Sequence, residues 1–331
     1  MLVTMKDIAR KANVSVVTVS RALNDKPDIS KKTKERILLI AQELNYTPNG
    51  LAKSLVTRDT RTIGVIIPNA RDPFYALIID GISHETRVRG YGIFLCNSQE
   101  DPDQELELIR LLRGKRVNGM LIYPVQEDNR YIQELSNCPV PFVFLNRHTD
   151  QLQCDYVIND NFHGSFVAVD HLIKKGYKKI TYICAKPNAS SGRERIAGCR
   201  EAIRQNGLTE DSLNVLTCNE TIESCYTLVK QLISRKNEID ALYLWDDHLA
   251  IGARRALFEA HIKIPDDIAI VGYDDIEISE YLYPPLTTVR QPTFQIGEMA
   301  ARILIDKFES DSENAYKQIV LKPELIIRST T

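Results

Sequence analysis

Residues 4–24 read TMKDIARKANVSVVTVSRALN, and this stretch decides how the amino-terminal part of the chain folds. Thr4 and Ser15 are residue types that cap helix N-termini, and Asp7 follows Thr4 at the spacing of a capping box. Asn13, between the two caps, tolerates the left-handed conformation that ends many helices. The stretch therefore predicts two short helices joined by a tight turn.

The second of these helices has two different faces. Val19, Ala22 and Leu23 recur at helical spacing on one face. The other face carries Val17, Ser20, Arg21 and Asn24. Two such helices make a helix-turn-helix, whose second helix enters the DNA major groove by its N-terminal residues. The periodicity also fits an ordinary helical hairpin, so that alternative stays open at this point.

A third helix is predicted from Ser30 to Leu44. Its apolar stripe consists of Ile37, Ile40, Ala41 and Leu44. Cations at positions 31, 32, 34 and 36 crowd its start, where they oppose the helix dipole, and a nearby phosphate backbone would account for them. Residues 1–60 hold eleven Lys and Arg and six Asp and Glu, a net charge of +5, while the remainder carries −7. The net charge of the whole chain, −2, is therefore the sum of a basic amino-terminal segment and an acidic remainder.

The whole chain has 331 residues, of which 44% are hydrophobic and 26% charged, so it has room for two or three globular domains. No apolar stretch of signal-peptide length opens the chain, and no run approaches the ~20 residues that cross a bilayer. The seven cysteines contain no CxxC pair. We expect reduced thiols in a cytoplasmic protein, without disulfides or a zinc site.

Residues 45–61, NYTPNGLAKSLVTRDTR, form a boundary. Pro48 disfavours helix at Thr47, and a helix over 50–56 would be far shorter than the ~12–15 residues that an isolated helix needs. We expect this segment to be disordered alone and helical only against DNA and a second subunit. A plain linker with a small apolar stripe, Leu51 and Leu55, is the alternative.

From Thr62 onward, short apolar runs alternate with helical stretches. The runs are IGVII, YGIFLC, GMLIYP, FVFLN, YVIND, KITYICA, ALYLW and IAIVGYDD. The helices are predicted over 74–88, 103–113, 129–136, 162–174, 193–205, 223–234, 248–260 and 293–307. This alternation predicts an α/β fold with two doubly wound parallel sheets, and the late segments LTTVRQP and PELIIR indicate that the chain crosses between the two lobes again.

Polar and aromatic residues follow several of the predicted strands, where ligands of open α/β sheets bind. They are 68–74 (PNARDPF), Asn146 and Arg147, Asn159 and Asp160, Trp245 to Asp247, and Tyr273 to Asp275. Carboxylates accept hydrogen bonds from paired hydroxyls and aromatic faces cover apolar rings, so this composition suits a polyhydroxylated ring or a nucleoside. The alternative for Asp160, Asp247 and Asp275 is that each caps the following helix. The lone residues His148, His248 and His261 are interpreted as structural, and no metal is predicted.

The chain resembles the LacI/GalR family of bacterial transcription regulators from Met5 to Thr330. The matching motifs are MKDIARKANVSVVTVSRALN, YTPNGLAKSL, TIGVIIPN, RERIAG, VGYDD, PLTTVRQP and PELIIRST. The resemblance implies a helix-turn-helix head (1–46), a hinge helix (47–60) and a periplasmic-binding-protein-like core (61–331). Within the core it implies one subdomain over about 61–159 and 291–320, and another over about 160–290 and 321–331, with three crossovers.

The resemblance also implies a homodimeric repressor that binds a pseudo-palindromic operator and a small effector, with no cofactor. The expected DNA contacts are Thr4, Ser15, Val16, Val17, Thr18, Ser20, Arg21, Asn24, Asn49, Ala52, Lys53 and Leu55, with Leu55 as a wedge between base pairs. The expected effector contacts are Asn69, Asp72, Phe74, Arg147, Ser191, Arg195, Trp245, Asp274 and Gln291.

Two other classes of function compete with a sugar-controlled regulator. A sugar-acting α/β enzyme could use adjacent acids such as Asp246 and Asp247, but neighbouring carboxylates at one strand end point in different directions. The chain has no GxSxG elbow and no GxxxxGK[ST] loop, and an enzyme has no use for the basic head. A regulator of the same fold whose core senses a partner protein is the remaining alternative.

Overall fold

The computed structural model describes residues 3–46, 59–125, 129–233, 239–309 and 315–331. The chain divides into two units, Met1–Thr60 and Arg61–Thr331, which we call the head and the body. Among the described residues, none of the helices is both long and apolar enough to span a membrane.

The head contains the three predicted helices, α1 (Met5–Ala12), α2 (Val16–Leu23) and α3 (Lys31–Glu43). The Asp7 carboxylate accepts hydrogen bonds from the Thr4 backbone N–H at 3.0 Å and from the Thr4 hydroxyl at 2.7 Å. Asn13 ends α1 in the left-handed conformation, with φ of 51°. Ser15 caps α2 by accepting from the Thr18 N–H at 3.1 Å. The local predictions for this turn are confirmed.

One apolar cluster holds the three head helices together. Its buried members are Ile8, Ala9, Ala12, Val19, Ala22, Ile37 and Ala41. Partly buried Ile40 and Leu44 pack against this cluster, which confirms the predicted stripe on α3. The core uses the inward faces of all three helices and leaves the opposite face of α2 free for another role.

The body alternates strands and helices, as the sequence predicts. It begins with β1 (Thr62–Ile67), α4 (Pro73–Val88), β2 (Gly92–Asn97), α5 (Pro102–Gly114), β3 (Gly119–Ile122), α6 (Asn129–Ser136), β4 (Phe142–Leu145) and β5 (Asp155–Asn159). It continues with α7 (Asn161–Lys174), β6 (Ile180–Cys184), α8 (Ser190–Gln205), β7 (Leu213–Thr217), α9 (Ile222–Ile233), β8 (Ala241–Leu244), α10 (Asp247–Glu259) and β9 (Ala269–Asp274). It closes with α11 (Ile278–Tyr281), β10 (Thr287–Arg290), α12 (Thr293–Glu309), β11 (Gln318–Leu321) and β12 (Glu324–Ile326).

These strands form two six-stranded sheets, which define a first and a second lobe. The first sheet has the order β11-β5-β4-β3-β1-β2, and the second has the order β12-β10-β9-β8-β6-β7. The strands pair in parallel, except that β12 runs antiparallel to β10. The chain passes between the lobes after β5, after β10 and after β11, so it makes three crossings.

Two strands were not predicted from the sequence, β7 and β11. Both lie at or near a sheet edge and alternate between half-buried and exposed positions, so they lack the continuous apolar run that marks a buried strand. The central strands β1, β3, β6, β8 and β9 are buried along nearly their whole length, which explains why they were predicted.

Close helix contacts fix the first lobe across this interrupted chain path. Helix α4 comes early in the sequence and α12 comes late, yet they pack against each other. A β-carbon on Gly81 of α4 would lie 2.0 Å from the Phe294 carbonyl oxygen, and one on Gly297 of α12 would lie 2.0 Å from the Ile78 carbonyl oxygen. Glycine at both positions therefore allows the two backbones to touch.

A buried carboxyl supports one wall of the first lobe. Glu105 on α5 is fully buried and accepts hydrogen bonds from the Val125 N–H at 2.9 Å and the Tyr131 hydroxyl at 3.0 Å. Burial raises the pKa of Glu105 to about 8, even though both hydrogen bonds act to lower it. Glu105 thereby ties the loop after β3 to helix α6.

Because the pKa of Glu105 rises from 4.5 to about 8 on folding, the unfolded chain loses this proton at lower pH than the folded chain. The contribution of Glu105 to stability is therefore present below pH 4.5 and is lost as pH rises towards about 8. Glu105→Gln cannot ionise, so it should flatten this part of the pH profile and be more stable than wild type at about pH 8.

Urea denaturation at about pH 5 and about pH 8 measures both slopes, and each pKa unit corresponds to about 1.4 kcal/mol. Glu107→Gln, at an exposed position on the same helix, is the matched control and should follow wild type. If the Glu105→Gln profile runs parallel to wild type, Glu105 is already ionised in the folded protein.

Candidate functional site

The outward face of α2 exposes apolar side chains that the head core does not use. Val16 is 38% exposed and Val17 is 59% exposed, whereas Val19 on the inward face is fully buried. Arg21 and Asn24 are exposed on the same helix, while Thr18 and Ser20 are half-buried. A short helix that presents valines, hydroxyls and an arginine can offer apolar contacts to thymine methyls and donors to base edges.

Arg21 has a partner within the head. One of its guanidinium nitrogens lies 2.6 Å from a carboxylate oxygen of Asp28. Both side chains are about half exposed, so this pair adds little to stability and can open at small cost. The Asn24 amide donates to the Ser20 carbonyl oxygen at 2.8 Å. Thr4 is exposed at the start of α1. The predicted contacts Asn49, Ala52, Lys53 and Leu55 lie outside the described residues and stay predictions.

In the body, residues after the carboxyl ends of the strands from both lobes meet in a cleft with two chambers. The first chamber has a volume of about 670 Å³. It is lined by Asn69, Arg71, Asp72, Tyr75, Glu100, Ala185, Lys186, Asn219, Glu220, Thr221, Ile222, Asp246 and His248. We call it the acidic chamber, because four of its side chains are carboxylic acids.

The second chamber has a volume of about 520 Å³. It is lined by Pro124, Val125, Arg147, Gln151, Ala185, Lys186, Pro187, Asn188, Ala189 and Arg193. We call it the basic chamber, because it holds two arginines and a lysine and none of these lining residues is acidic. Ala185 and Lys186 line both chambers, so the start of the loop after β6 separates them.

Lys186 and two histidines connect the lobes across this cleft. The Lys186 ammonium lies 2.9 Å from the Glu100 carboxylate of the first lobe and 3.7 Å from the Glu220 carboxylate of the second. The His248 ring is 3.8 Å from Asp72. His148 lies 3.6 Å from the Glu194 carboxylate, and its backbone N–H donates to the Ser190 hydroxyl at 3.2 Å. The contacts of Lys186 with Glu100, His248 with Asp72, and His148 with α8 each join the two lobes, so they depend on how far the cleft is closed.

Carboxyl groups crowd the acidic chamber. Asp72 and Asp246 cap α4 and α10 by accepting from the Phe74 and Leu249 N–H groups. Burial raises the pKa of Asp72, of Asp246 and of Glu220 above their usual values, and each is also raised by a neighbouring acid. Carboxyls in this setting gain from ligand hydroxyls or from a cation.

Arg195 anchors the wall of the second lobe. It is buried, and it donates to the Trp245 carbonyl oxygen at 2.6 Å and to the Asn161 side-chain oxygen at 3.1 Å. Its guanidinium carbon lies 3.5 Å from the centre of the Tyr273 ring and 4.4 Å from the centre of the Trp245 ring. The Trp245 indole N–H in turn donates to Glu220 at 2.7 Å. Two predicted residues, Arg195 and Trp245, are thus brought into direct contact.

Asp274 and Gln291 are also brought together, with the Gln291 amide donating to the Asp274 carboxylate at 2.5 Å. Asp274 has a φ of 107°, a conformation that side chains rarely adopt. Burial raises the pKa of the Asp274 carboxyl well above its usual value, although Arg195 acts to lower it. The amide oxygen of Gln291, Oε1, is buried without a partner among the described residues. The pair is therefore held in a strained and incompletely satisfied arrangement.

Of the remaining predicted residues, three line a chamber, whereas Ser191 and Phe74 do not. Asn69 and Asp72 line the acidic chamber, and Arg147 lines the basic chamber. Ser191 is buried in the first turn of α8. Phe74 packs edge-on against Tyr75 with ring centres 5.2 Å apart, and it is Tyr75 that lines the acidic chamber.

Glu100, Lys186, Glu220 and His248 were not predicted as site residues. Glu220 follows β7, the strand that the sequence did not predict, and Lys186 follows β6 behind an alanine. The one usable indication was their position in the sequence, because Lys186 and Glu220 each lie within three residues of a strand's carboxyl end. His248 was predicted to be an ordinary structural residue, but it lines the acidic chamber beside Asp72.

The helix-cap alternative holds for one of the three aspartates. Asp160 caps α7 by accepting from the His163 N–H at 2.8 Å, as that alternative predicts. It is wrong for Asp247, because Asp246 caps α10 and Asp247 accepts instead from the Ile276 N–H and the Ser279 and Thr288 hydroxyls. It is also wrong for Asp275, which pairs with Arg290 and Arg328.

The described residues contain no group of three or more His, Cys, Asp or Glu side chains arranged to hold a metal ion. All seven cysteines are free thiols. His261 has a φ of 58° and ends α10 in the left-handed conformation, as predicted for a structural residue.

Comparison with known proteins gives matches to both units. Residues 4–49 match the model for bacterial regulatory proteins of the lacI family, and residues 169–331 match the periplasmic binding protein-like domain. The HTH-type transcriptional repressor PurR of Haemophilus influenzae strain PittEE is 34% identical over 337 residues, covering 99% of this chain and 98% of the relative. PurR of Aliivibrio salmonicida is 30% identical, covering 99% of each chain.

Solved structures are similar over most or all of the chain. The lac repressor dimer bound to operator and the anti-inducer ONPF has a TM-score of 0.90 at 26% identity, covering 100% of this chain and 99% of the other. The regulator CelR in complex with cellobiose has a TM-score of 0.76 at 29% identity, covering 99% and 100%. A ribose-bound LacI family regulator from Enterococcus faecium has a TM-score of 0.72 at 28% identity, covering 82% and 98%.

Two neighbouring aspartates should respond oppositely to the same substitution. Asp274→Asn removes a carboxyl whose ionised form is disfavoured by burial, and asparagine tolerates positive φ, so the variant should be more stable than wild type without ligand. Asp275→Asn loses carboxylate contacts of 2.7 Å to both Arg290 and Arg328, so it should be less stable. Thermal unfolding near neutral pH measures both, and equal shifts for the two variants would contradict this account.

Proposed function

The chain belongs to the lacI family of bacterial regulatory proteins and is a DNA-binding transcriptional repressor, and we propose that its cleft binds a sugar or a nucleoside as effector. The observation that carries this proposal is the acidic chamber, where Asp72, Glu220 and Asp246 lie beside Tyr75. Carboxyls accept from paired hydroxyls while an aromatic ring covers an apolar ring face. The family assignment excludes the enzyme alternative.

Similar proteins support the same ligand class. CelR is in complex with cellobiose, and the Enterococcus faecium regulator holds ribose. The residues proposed to contact the effector are Asn69, Asp72, Phe74, Arg147, Ser191, Arg195, Trp245, Asp274 and Gln291, to which the geometry adds Glu100, Lys186, Glu220 and His248. Because these residues come from both lobes, a bound effector stabilises one degree of cleft closure over another.

We assign the helix-turn-helix domain to residues 1–46, the hinge to 47–60 and the effector-binding core to 61–331. The core's subdomains are assigned to about 61–159 with 291–320 and about 160–290 with 321–331. Any change of cleft closure must reach the head through residues 47–60, which connect the two units in sequence. Since the operator is chromosomal DNA, we place the protein in the cytoplasm.

The body also exposes large apolar side chains that suit a homodimer. On the second lobe Phe258 is 80% exposed and Tyr283 is 95% exposed, with Tyr281 nearby in sequence. On the first lobe the edge strand β2 exposes Phe94 and Leu95. Exposed apolar surface of this kind marks interaction sites. A dimer would hold two heads at a fixed separation on a pseudo-palindromic operator.

Effector control is tested by titrating the purified full chain with sugars and nucleosides and measuring both heat of binding and operator affinity. A true effector should change operator affinity in wild type. Arg195→Ala and Asp274→Ala should weaken effector binding by at least tenfold and lose this response, because Arg195 positions Trp245, which donates to Glu220 of the acidic chamber, and Asp274 holds Gln291. Asp150→Ala, whose carboxylate is exposed outside both chambers, is the control. Unchanged effector affinity in both variants would remove these residues from the site.

Base reading is tested at Arg21, which can donate two hydrogen bonds to guanine O6 and N7 once it leaves Asp28. Arg21→Ala should cost about 1–3 kcal/mol on the specific operator and relax the preference at one position per half-site. Asp28→Ala should strengthen binding to the specific operator more than to random DNA, because it removes a negative charge and also the ion pair that Arg21 must leave to reach a base. Equal losses for Arg21→Ala on operator and random DNA, measured by fluorescence anisotropy, would show that Arg21 contacts phosphate only.

A further inference from the structure

The two chambers of the cleft differ in charge. Asp72, Glu100, Glu220 and Asp246 line the acidic chamber, whereas the basic chamber is lined by Arg147, Lys186 and Arg193 without an acidic residue among them. The hydroxyls of a neutral sugar can accept hydrogen bonds from these cations, but a neutral sugar carries no negative charge that matches two arginines and a lysine. The positive charge of the basic chamber therefore indicates that the ligand carries an anionic group.

Arg147 is the most informative of these cations. It is only 4% exposed, and it donates to the Pro124 carbonyl oxygen at 3.1 Å while its guanidinium carbon lies 4.8 Å from the centre of the Tyr123 ring. Its Nε–H is buried and has no hydrogen-bond partner among the described residues. Because buried donors are nearly always paired, this one indicates a missing acceptor.

The start of helix α8 contributes a second kind of anion-binding group. Lining residues Pro187, Asn188 and Ala189 lead directly into this 16-residue helix, whose first N–H groups have no partners within the helix. Ala189 is the N-cap and provides no side-chain hydrogen bond to them. In the first turn the Ser191 hydroxyl is buried and also lacks a partner among the described residues.

The loop is shaped so that its backbone lies close to the helix start. A β-carbon on Gly192 would lie 1.9 Å from the Lys186 carbonyl oxygen, so only glycine allows this packing. The Arg193 guanidinium donates to the Asn188 carbonyl oxygen at 2.5 Å, which holds its charge beside the same loop. Arg147 from the first lobe and α8 from the second lobe thus face one chamber.

We propose that the basic chamber binds a phosphate group, so that the effector is a phosphorylated sugar or nucleoside with its hydroxyls in the acidic chamber. This inference rests on the proposed function and deepens it. Two arginines, a lysine and a helix N-terminus supply charge and several converging N–H donors, which suits the three oxygens of a phosphate monoester better than a single hydroxyl. Lys186 already pairs with Glu100 and Glu220, so Arg147 and Arg193 carry the added charge.

The test uses matched ligand pairs on the full chain at low salt: ribose and ribose 5-phosphate, glucose and glucose 6-phosphate, adenosine and adenosine 5′-phosphate, with inorganic phosphate alone. Calorimetric titration should show that inorganic phosphate binds and that at least one phosphorylated ligand binds at least tenfold more tightly than its unphosphorylated partner. Arg193→Gln, at an exposed position where folding is not at risk, should weaken phosphate binding about tenfold and leave any unphosphorylated ligand unaffected. Arg200→Gln, two turns further along α8, should match wild type.

The outcomes separate this inference from the proposed function. If free sugars or nucleosides bind and phosphate adds nothing, the phosphate site is wrong while the effector class stands. If phosphate binds in an Arg193-dependent way but no sugar or nucleoside improves on it, the chamber is a site for free phosphate and the effector class is wrong. If phosphate binding does not depend on Arg193, or does not occur, the proposal is overturned.

Discussion

The buried guanidinium of Arg195 is the interaction on which the geometry of the cleft depends. A cation can stay in a protein interior only when its charge and its donors are compensated. Here the faces of the Tyr273 and Trp245 rings stabilise the positive charge of Arg195, while the Trp245 carbonyl and the Asn161 side chain accept its hydrogen bonds. These partners come from the ends of β8 and β9 and from the start of α7, so one side chain of α8 fixes four elements of the second lobe. The rigid wall that results is what a ligand meets.

Local chemistry explains which parts of the molecule could be predicted from the sequence. The helix N-caps Thr4 and Ser15 contact residues only three positions further along the chain, so they were recognisable from the local sequence. Buried central strands such as β8 were recognisable because they appear as continuous apolar runs. Edge strand β7 was not recognisable, because two of its five residues are exposed and none is fully buried, and Glu220, which follows it, was missed for the same reason. At Asp246 and Asp247 the pattern placed a helix start but not which aspartate caps it. That choice depends on Ile276, Ser279 and Thr288, which are 29 to 41 residues away.

The same distance argument applies to the site as a whole. Arg147 and α8 are far apart in sequence, and no local rule says that they face one chamber. The lobe crossings bring them together, and those crossings depend on contacts such as Gly81 against Phe294 that join early and late parts of the chain. The composition of a cleft can therefore be predicted from residues that follow strands, whereas its division into an acidic and a basic half cannot.

That division has a consequence for how the lobes are coupled. Lys186 lies at the boundary of the chambers and bridges Glu100 of the first lobe and Glu220 of the second, while Asp72 lies near His248 across the same cleft. Closing the cleft further desolvates these groups, and burial already raises the pKa of Asp72, Asp246 and Glu220. The cost of desolvating these charged groups therefore opposes closure of the cleft when no ligand is bound. A ligand that supplies hydroxyls to one chamber and negative charge to the other compensates both, so the charge pattern makes closure depend on ligand chemistry as well as on ligand size.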